Sequence, residues 1–324
     1  MPVPSRGGSI NGVGGPPPSM GPNVSAAVLR RLQLTISRKL DGLLHGDYLG
    51  LLPGAGSEAG ESREYRAGDD VRRMDWAVTA RTTVPHVRQS VADRELETWL
   101  CVDLSPSLDF GTAACQKRDL AIAAAAALME LTVRGGNRVG AVVTNGERTL
   151  RYPARAGSLA AQGLLRRIAA VPRAEPGVEI DLPHVIGALH RPPRRRGLVA
   201  VISDFLGEPG LTEPGWERPL RALAMRHDAL AVEVVDPREL NLPDVGLLLL
   251  TDPETGQQHE VQTSSRRLRE EYAVAASRQR AQIAQSLRRA GVGQLRLRTD
   301  GDWLLSIVRF VAARRRGHAL GAVA

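Results

Sequence analysis

Apolar positions along the chain alternate between two periods, and the alternation predicts a layered α/β protein. Continuous apolar runs at residues 98–102, 138–144, 198–203 and 229–235 read as strands, and the run at 198–203 looks buried on both faces. Helical spacing fills the intervals at 25–43, 115–133, 158–170, 181–189, 217–226 and 265–289, with a last helix from 302. Residues 148–152 and 294–297 add shorter strands. Asn145-Gly146 predicts a tight hairpin, because a type I′ turn needs positive φ at both central residues. A second hairpin is expected across Asp252 to Gly256.

Strands alternating with helices imply a mostly parallel sheet with helices on both faces. The division expected is a disordered tail over 1–24, an N-terminal helix with an irregular β-rich subdomain over 25–97, the main α/β domain over 98–316, and a flexible end over 317–324. The tail is rich in Gly, Pro and Ser and has no apolar core of the kind a signal peptide carries. No apolar run approaches the roughly 18 residues that cross a bilayer.

Composition narrows the picture. Only 3% of residues are aromatic, so Leu, Val, Ile and Ala must build the core. The formal charge of +8 is carried almost wholly by arginine, since Lys39 and Lys117 are the only lysines. Basic clusters at Arg194-Arg195-Arg196 and Arg314-Arg315-Arg316 lack interleaved aromatics, which weighs against nucleic-acid binding. Cys101 lies in an apolar run and Cys115 stands alone, so a reducing, cytoplasmic setting is expected.

Two acids end predicted strands: Asp103 after the first strand of the main domain, and Asp204 after the central one. Ligands of open parallel sheets bind at such carboxyl ends. Ser105 and Ser107 follow Asp103 at two and four residues, so the loop can gather a carboxylate and two hydroxyls. That oxygen-only set suits a hard cation such as Mg²⁺, with Mn²⁺ or Ca²⁺ as alternatives. The competing reading of the same residues is an Asx turn or a helix cap.

The Asp-x-Ser-x-Ser loop resembles the metal-ion-dependent adhesion site of the von Willebrand factor A fold. A wider set of residues is similar to domain-of-unknown-function family 58: Gly54 to Gly56, Arg63-Glu64-Tyr65, Gly68-Asp69-Asp70, Arg72-Arg73-Met74-Asp75-Trp76, Ala80-Arg81 and Val102-Asp103-Leu104-Ser105. The carboxyl half adds Ile202-Ser203-Asp204-Phe205, Val234 to Leu240, Leu242 to Gly246, Asp252 to Gly256 and Leu297-Arg298-Thr299-Asp300. The resemblance implies a von Willebrand factor A-like, Rossmann-type sheet and a non-enzymatic, metal-dependent protein-binding module. The partners it implies are a MoxR-type AAA+ ATPase, for which the chain would be adaptor or chaperone, and a client protein offering a carboxylate. Asp204 enters the metal set from the fold. One position departs: where the family usually has Thr before Asp-Leu, this chain has Ile180, which offers no oxygen. Asp181 substitutes for it, or the cation is held weakly or not at all.

Other chemistry is sparse. No phosphate-binding Gly-rich loop ends in Lys and Ser or Thr, so ATP hydrolysis is expected of the partner. The seven histidines are dispersed, and no Ser sits in a Gly-x-Ser-x-Gly elbow. Residues 63–81 contain Asp69, Asp70, Asp75, Arg72, Arg73 and Trp76, read as turn chemistry and ion pairs that fix a small subdomain. A hydrolase using the same cation, and a basic nucleic-acid scaffold, are the alternatives from other classes.

Overall fold

The computed structural model describes residues 17–18, 26–43, 62–65, 71, 74–88, 96–175, 177–178, 180–189, 197–207, 213–251 and 257–321. Helix α1 (Ala26–Leu43) leads, followed by β1 (Ser62–Glu64), α2 (Trp76–Thr82) and β2 (His86–Arg88). The main body then runs β3 (Glu97–Asp103), α3 (Lys117–Arg134), β4 (Arg138–Thr144), β5 (Thr149–Arg155), α4 (Ser158–Ala169), α5 (Leu182–Ala188) and β6 (Leu198–Ser203). It closes with α6 (Glu217–Ala224), β7 (Asp228–Val235), β8 (Leu247–Thr251), β9 (Gln258–Gln262), α7 (Arg266–Arg289), β10 (Gly293–Arg298) and α8 (Trp303–Gly321).

Six strands form one sheet in the order β10-β7-β6-β3-β4-β5. Every neighbouring pair is parallel except the hairpin β4–β5. Because side chains alternate across a strand, β3 feeds two cores. Leu100 and Val102 join the cluster containing residues of α1, α3, α4 and α8, whereas Trp99 and Cys101 join that of α5, α6 and α7. The sheet is thus covered on both faces, which is why its central strands β3 and β6 lack a polar stripe.

Helix α3 is apolar all round because it is covered all round. Its Ala121 and Ala123 to Ala127 are buried, and their small side chains let the helix lie close to the sheet. Across its outer side lies α1, whose Leu29, Leu32, Ile36 and Leu40 recur at helical spacing and are buried. Gln116 caps α3 and forms a capping box with Asp119, fixing where the helix begins.

One expectation changes. Of the Asn145-Gly146 pair only Gly146 has positive φ, at 96°. Asn145 instead accepts from the Arg148 N–H through its side chain at 3.0 Å, and the hairpin closes over a longer loop. The N-terminal subdomain holds the antiparallel pair β1–β2 together with α2, which Asp75 caps. Helix α8 extends to Gly321. The Gly54–Gly56 stretch, Asp69, Asp70, Arg72, Arg73, Arg194 to Arg196 and the 252–256 turn lie outside the described residues, as does the 1–24 tail apart from 17–18. Among the described residues no helix is long and apolar enough to cross a membrane.

Gly197, just before β6, tests the close approach of β6 to β3. A Cβ there would lie 2.0 Å from the Glu97 carbonyl oxygen, so backbone must move. Gly197→Ala is expected to destabilise the fold by about 1–3 kcal/mol, the scale of overpacking, measured by urea unfolding. An unchanged midpoint would show that the two strand entries are not locked together.

Candidate functional site

Strands β3 and β6 are adjacent and parallel, so their carboxyl ends open on the same edge of the sheet. Asp103 is the last residue of β3, and Asp204 follows β6 directly. One Asp103 oxygen accepts from the Ser105 N–H at 2.9 Å, which is an Asx turn; the other accepts from the Ser203 hydroxyl at 2.7 Å. The Ser105 and Ser107 hydroxyls lie 3.3 Å apart, and Ser107 also hydrogen-bonds Asp204. Asp103, Ser105, Ser107 and Asp204 are all buried. The turn and the convergent oxygen cluster therefore coexist: the Asx turn is the device that curls the loop.

Sequence reasoning missed the group at the centre of this cluster. Lys117, the first residue of α3, is 1% exposed, and its Nζ donates to Asp204 Oδ2 at 2.9 Å and to Glu239 Oε1. Arg280 of α7 donates to Glu239 at 3.0 Å, to Glu233 of β7 at 3.2 Å and to the Asp204 carbonyl at 3.1 Å. Glu233 also accepts from Gln294 and Arg296 of β10. At the end of β7, Asp236 accepts from Thr112 N–H and hydroxyl at 2.9 and 2.6 Å and from the Thr299 hydroxyl at 2.7 Å. Asp236 carries the signal that singled out Asp103 and Asp204, an acid just after a buried strand. Lys117 had a subtler one, as one of two lysines in an arginine-rich chain.

The Asp236 bonds pin the exposed segment of residues 110–114 over the cluster, and the Lys117 N–H donates to the Phe110 carbonyl at 2.8 Å. Burial opposes ionisation of Asp204, yet the Lys117 charge and hydrogen bonds from Lys117, Ser107 and the Leu206 N–H outweigh it and hold the carboxyl below its ordinary range. Burial likewise works against the Lys117 ammonium, but Asp204 and Glu239 more than compensate and raise it.

Asp181 caps α5, accepting from the His184 N–H at 2.9 Å, and is exposed. Ile180 packs against the apolar core beside α5. The donor set that hydrogen bonds bring together for a divalent cation is Asp103, Ser105, Ser107 and Asp204. It does not fit the ion. Mg²⁺ requires oxygens at about 2.0–2.1 Å in near-octahedral array, whereas an ammonium is already bonded to Asp204 and both Asp103 oxygens already accept, from the Ser105 N–H and the Ser203 hydroxyl. Among the described residues no group of three or more His, Cys, Asp or Glu could hold a metal.

Asp103 is the carboxylate least well compensated. Burial, then the Asp204 charge, pushes its carboxyl up to about 6, against the lowering effect of the Ser105 and Ser203 hydrogen bonds. A carboxyl raised above its unfolded value of about 3.9 binds more protons in the native state between about pH 4 and 6, so stability falls as pH rises through that window. Asp103→Asn removes this loss. In EDTA the variant is expected to be more stable than the parent at pH 7 by about 1–3 kcal/mol, with a flatter profile between pH 4 and 6 in denaturant melts. A less stable variant at pH 7 would show that the ionised carboxylate is fully compensated in the native state.

Comparison with known proteins places the chain. It is 58% identical over 296 residues to the uncharacterized protein Rv1480 of Mycobacterium tuberculosis, covering 91% of this chain and 92% of that protein. The uncharacterized protein Mb1516 of Mycobacterium bovis matches to the same extent. A 50% identical match over 171 residues to the uncharacterized protein MAV169 of Mycobacterium avium covers 53% of this chain and 98% of that protein. Among solved structures, the conserved hypothetical protein BatB from Bacteroides thetaiotaomicron aligns at 15% identity with a TM-score of 0.44, over 68% of this chain and 99% of that one. Residues 61–282 match the family described as "Protein of unknown function DUF58", and the chain belongs to that family.

Proposed function

We propose that this protein is a non-enzymatic, cytoplasmic binding module built on a von Willebrand factor A-like sheet. It acts as adaptor or chaperone partner of a MoxR-type AAA+ ATPase. The observation that carries the reading is the segment of residues 110–114: Phe110, Gly111, Thr112, Ala113 and Ala114 are exposed, yet the segment is anchored from beneath by Asp236 and by α3. A short, mostly apolar ridge held rigid over a buried polar network suits docking, because little ordering entropy remains to be lost on association. The acids below it are engaged with Lys117, Arg280, serines and threonines. A hydrolase using this edge needs a general base that can reach substrate, so mutual engagement of these groups favours binding. The ATPase partner rests on the resemblance to family 58.

The test is co-purification of the full chain with the MoxR-type ATPase of the same organism, in the presence and absence of EDTA. Wild type is expected to retain the ATPase, and Phe110→Asp to lose at least about tenfold in affinity, equivalent to about 1.4 kcal/mol, at unchanged circular dichroism. Equal retention by both proteins would remove the 110–114 segment from the interface, and no retention by wild type would remove the ATPase as partner.

A further inference from the structure

We propose that Lys117 Nζ is the resident cation of the Asp-x-Ser-x-Ser loop: a tethered ammonium takes the place of a divalent ion, and the carboxyl edge of the sheet assembles without metal. Three observations point the same way. The first is position. Nζ bridges Asp204 and Glu239, and Asp204 is joined through Ser107 to Ser105 and hence to the Asp103 loop. The charge therefore sits directly on Asp204 and Glu239 and is linked to the loop through Ser107 and Ser105.

The second is the cost of putting it there. Lys117 is the first residue of α3, where the helix dipole presents its positive end and disfavours a cation. Its side chain is also almost wholly buried, which penalises an ammonium further. Lysines at helix starts are ordinarily turned out to water. Only the two carboxylates it bridges offset both penalties, so the placement is dictated by the need for positive charge at that point.

The third is the choice of residue. Of 43 basic side chains in the chain only Lys39 and Lys117 are lysines. An arginine presents a planar fork, whereas an ammonium is a compact point charge with donors directed outward, the closest a side chain comes to a small metal ion. A guanidinium serves next door: Arg280 spans Glu233, Glu239 and the Asp204 carbonyl, a spread-out set that suits a fork. The two cations divide the network according to shape.

The experiment uses the full-length protein and the metal alone. After EDTA treatment and buffer exchange, Mg²⁺ and Mn²⁺ are titrated into wild type by calorimetry and by Mn²⁺ electron paramagnetic resonance. No saturable site is expected up to millimolar metal, and the melting temperature is expected to be the same in EDTA and in Mg²⁺. Stoichiometric binding with a micromolar Kd overturns the proposal. Lys117→Met keeps the length of the stem and removes the charge; its melting temperature is expected to fall by several degrees. Adding Asp204→Asn to that variant is expected to recover most of the fall, since the uncompensated carboxylate is then gone. A Lys117→Met protein as stable as wild type overturns the proposal, and so does a double variant that recovers nothing, because Lys117 would then be a packing element. If Lys117→Met does not fold, the wild-type titration still decides. None of these readouts involves a partner protein, so loss of the binding reading leaves them untouched.

Discussion

The architecture depends on charge balance at one edge of the sheet. Three neighbouring strands, β7, β6 and β3, end in Asp236, Asp204 and Asp103, all buried. Adjacent strands lie about 4.8 Å apart, so the acids at their ends repel across a poorly screened interior unless positive charge or hydrogen-bond donors are brought to them. Helix α3 brings Lys117 from one side, α7 brings Arg280 from the other, and the 110–114 segment brings Thr112. Each donor comes from a different part of the chain, and none can shift without uncovering a buried carboxylate.

That requirement explains features that are otherwise separate. Helix α3 must begin where Lys117 reaches Asp204, and the Gln116–Asp119 capping box fixes its start. Glu239 lies in a short helical turn whose own capping box ties it to Asp236 N–H at 3.1 Å, so the residue that shares Lys117 is located by the end of β7. Glu233 is a fully buried acid within β7, tolerable because Arg280, Gln294 and Arg296 converge on it. Ion pairs run from β10 through Glu233, Arg280, Glu239 and Lys117 to Asp204, and hydroxyls carry the network on to β3, adding side-chain links to the backbone ladder between the strands.

The order of strands and helices was legible because buried parallel strands write themselves as unbroken apolar runs, as in residues 198–203, and because α1 and α7 are long with clear boundaries. The oxygen cluster was legible for a local reason: Asp103, Ser105 and Ser107 lie within five residues, and Asp204 marks the next strand end. Lys117 was not, since its partners Asp204 and Glu239 are 87 and 122 residues away and nothing local distinguishes it from a surface lysine. For Asp181 a helix cap and a metal ligand look alike in sequence, and the structure shows the cap at the start of α5. The Asn145-Gly146 turn misled because the Asn145 side chain accepts from the Arg148 N–H and closes a longer loop without positive φ at Asn145.

A tethered cation differs from a diffusible one in two respects, and both are visible in the electrostatics. A bound metal stabilises a fold in proportion to the logarithm of its free concentration, whereas an ammonium on α3 is present at fixed occupancy. It carries only a single charge, however, where Mg²⁺ carries two. Lys117, with hydrogen bonds from Ser107 and the Leu206 N–H, holds Asp204 below its ordinary range, while burial and the neighbouring Asp204 push Asp103 up to about 6. The split between two acids at neighbouring strand ends, one lowered and one raised, follows from a single ammonium bonded to Asp204 and not to Asp103. A divalent ion centred in the loop would lower both.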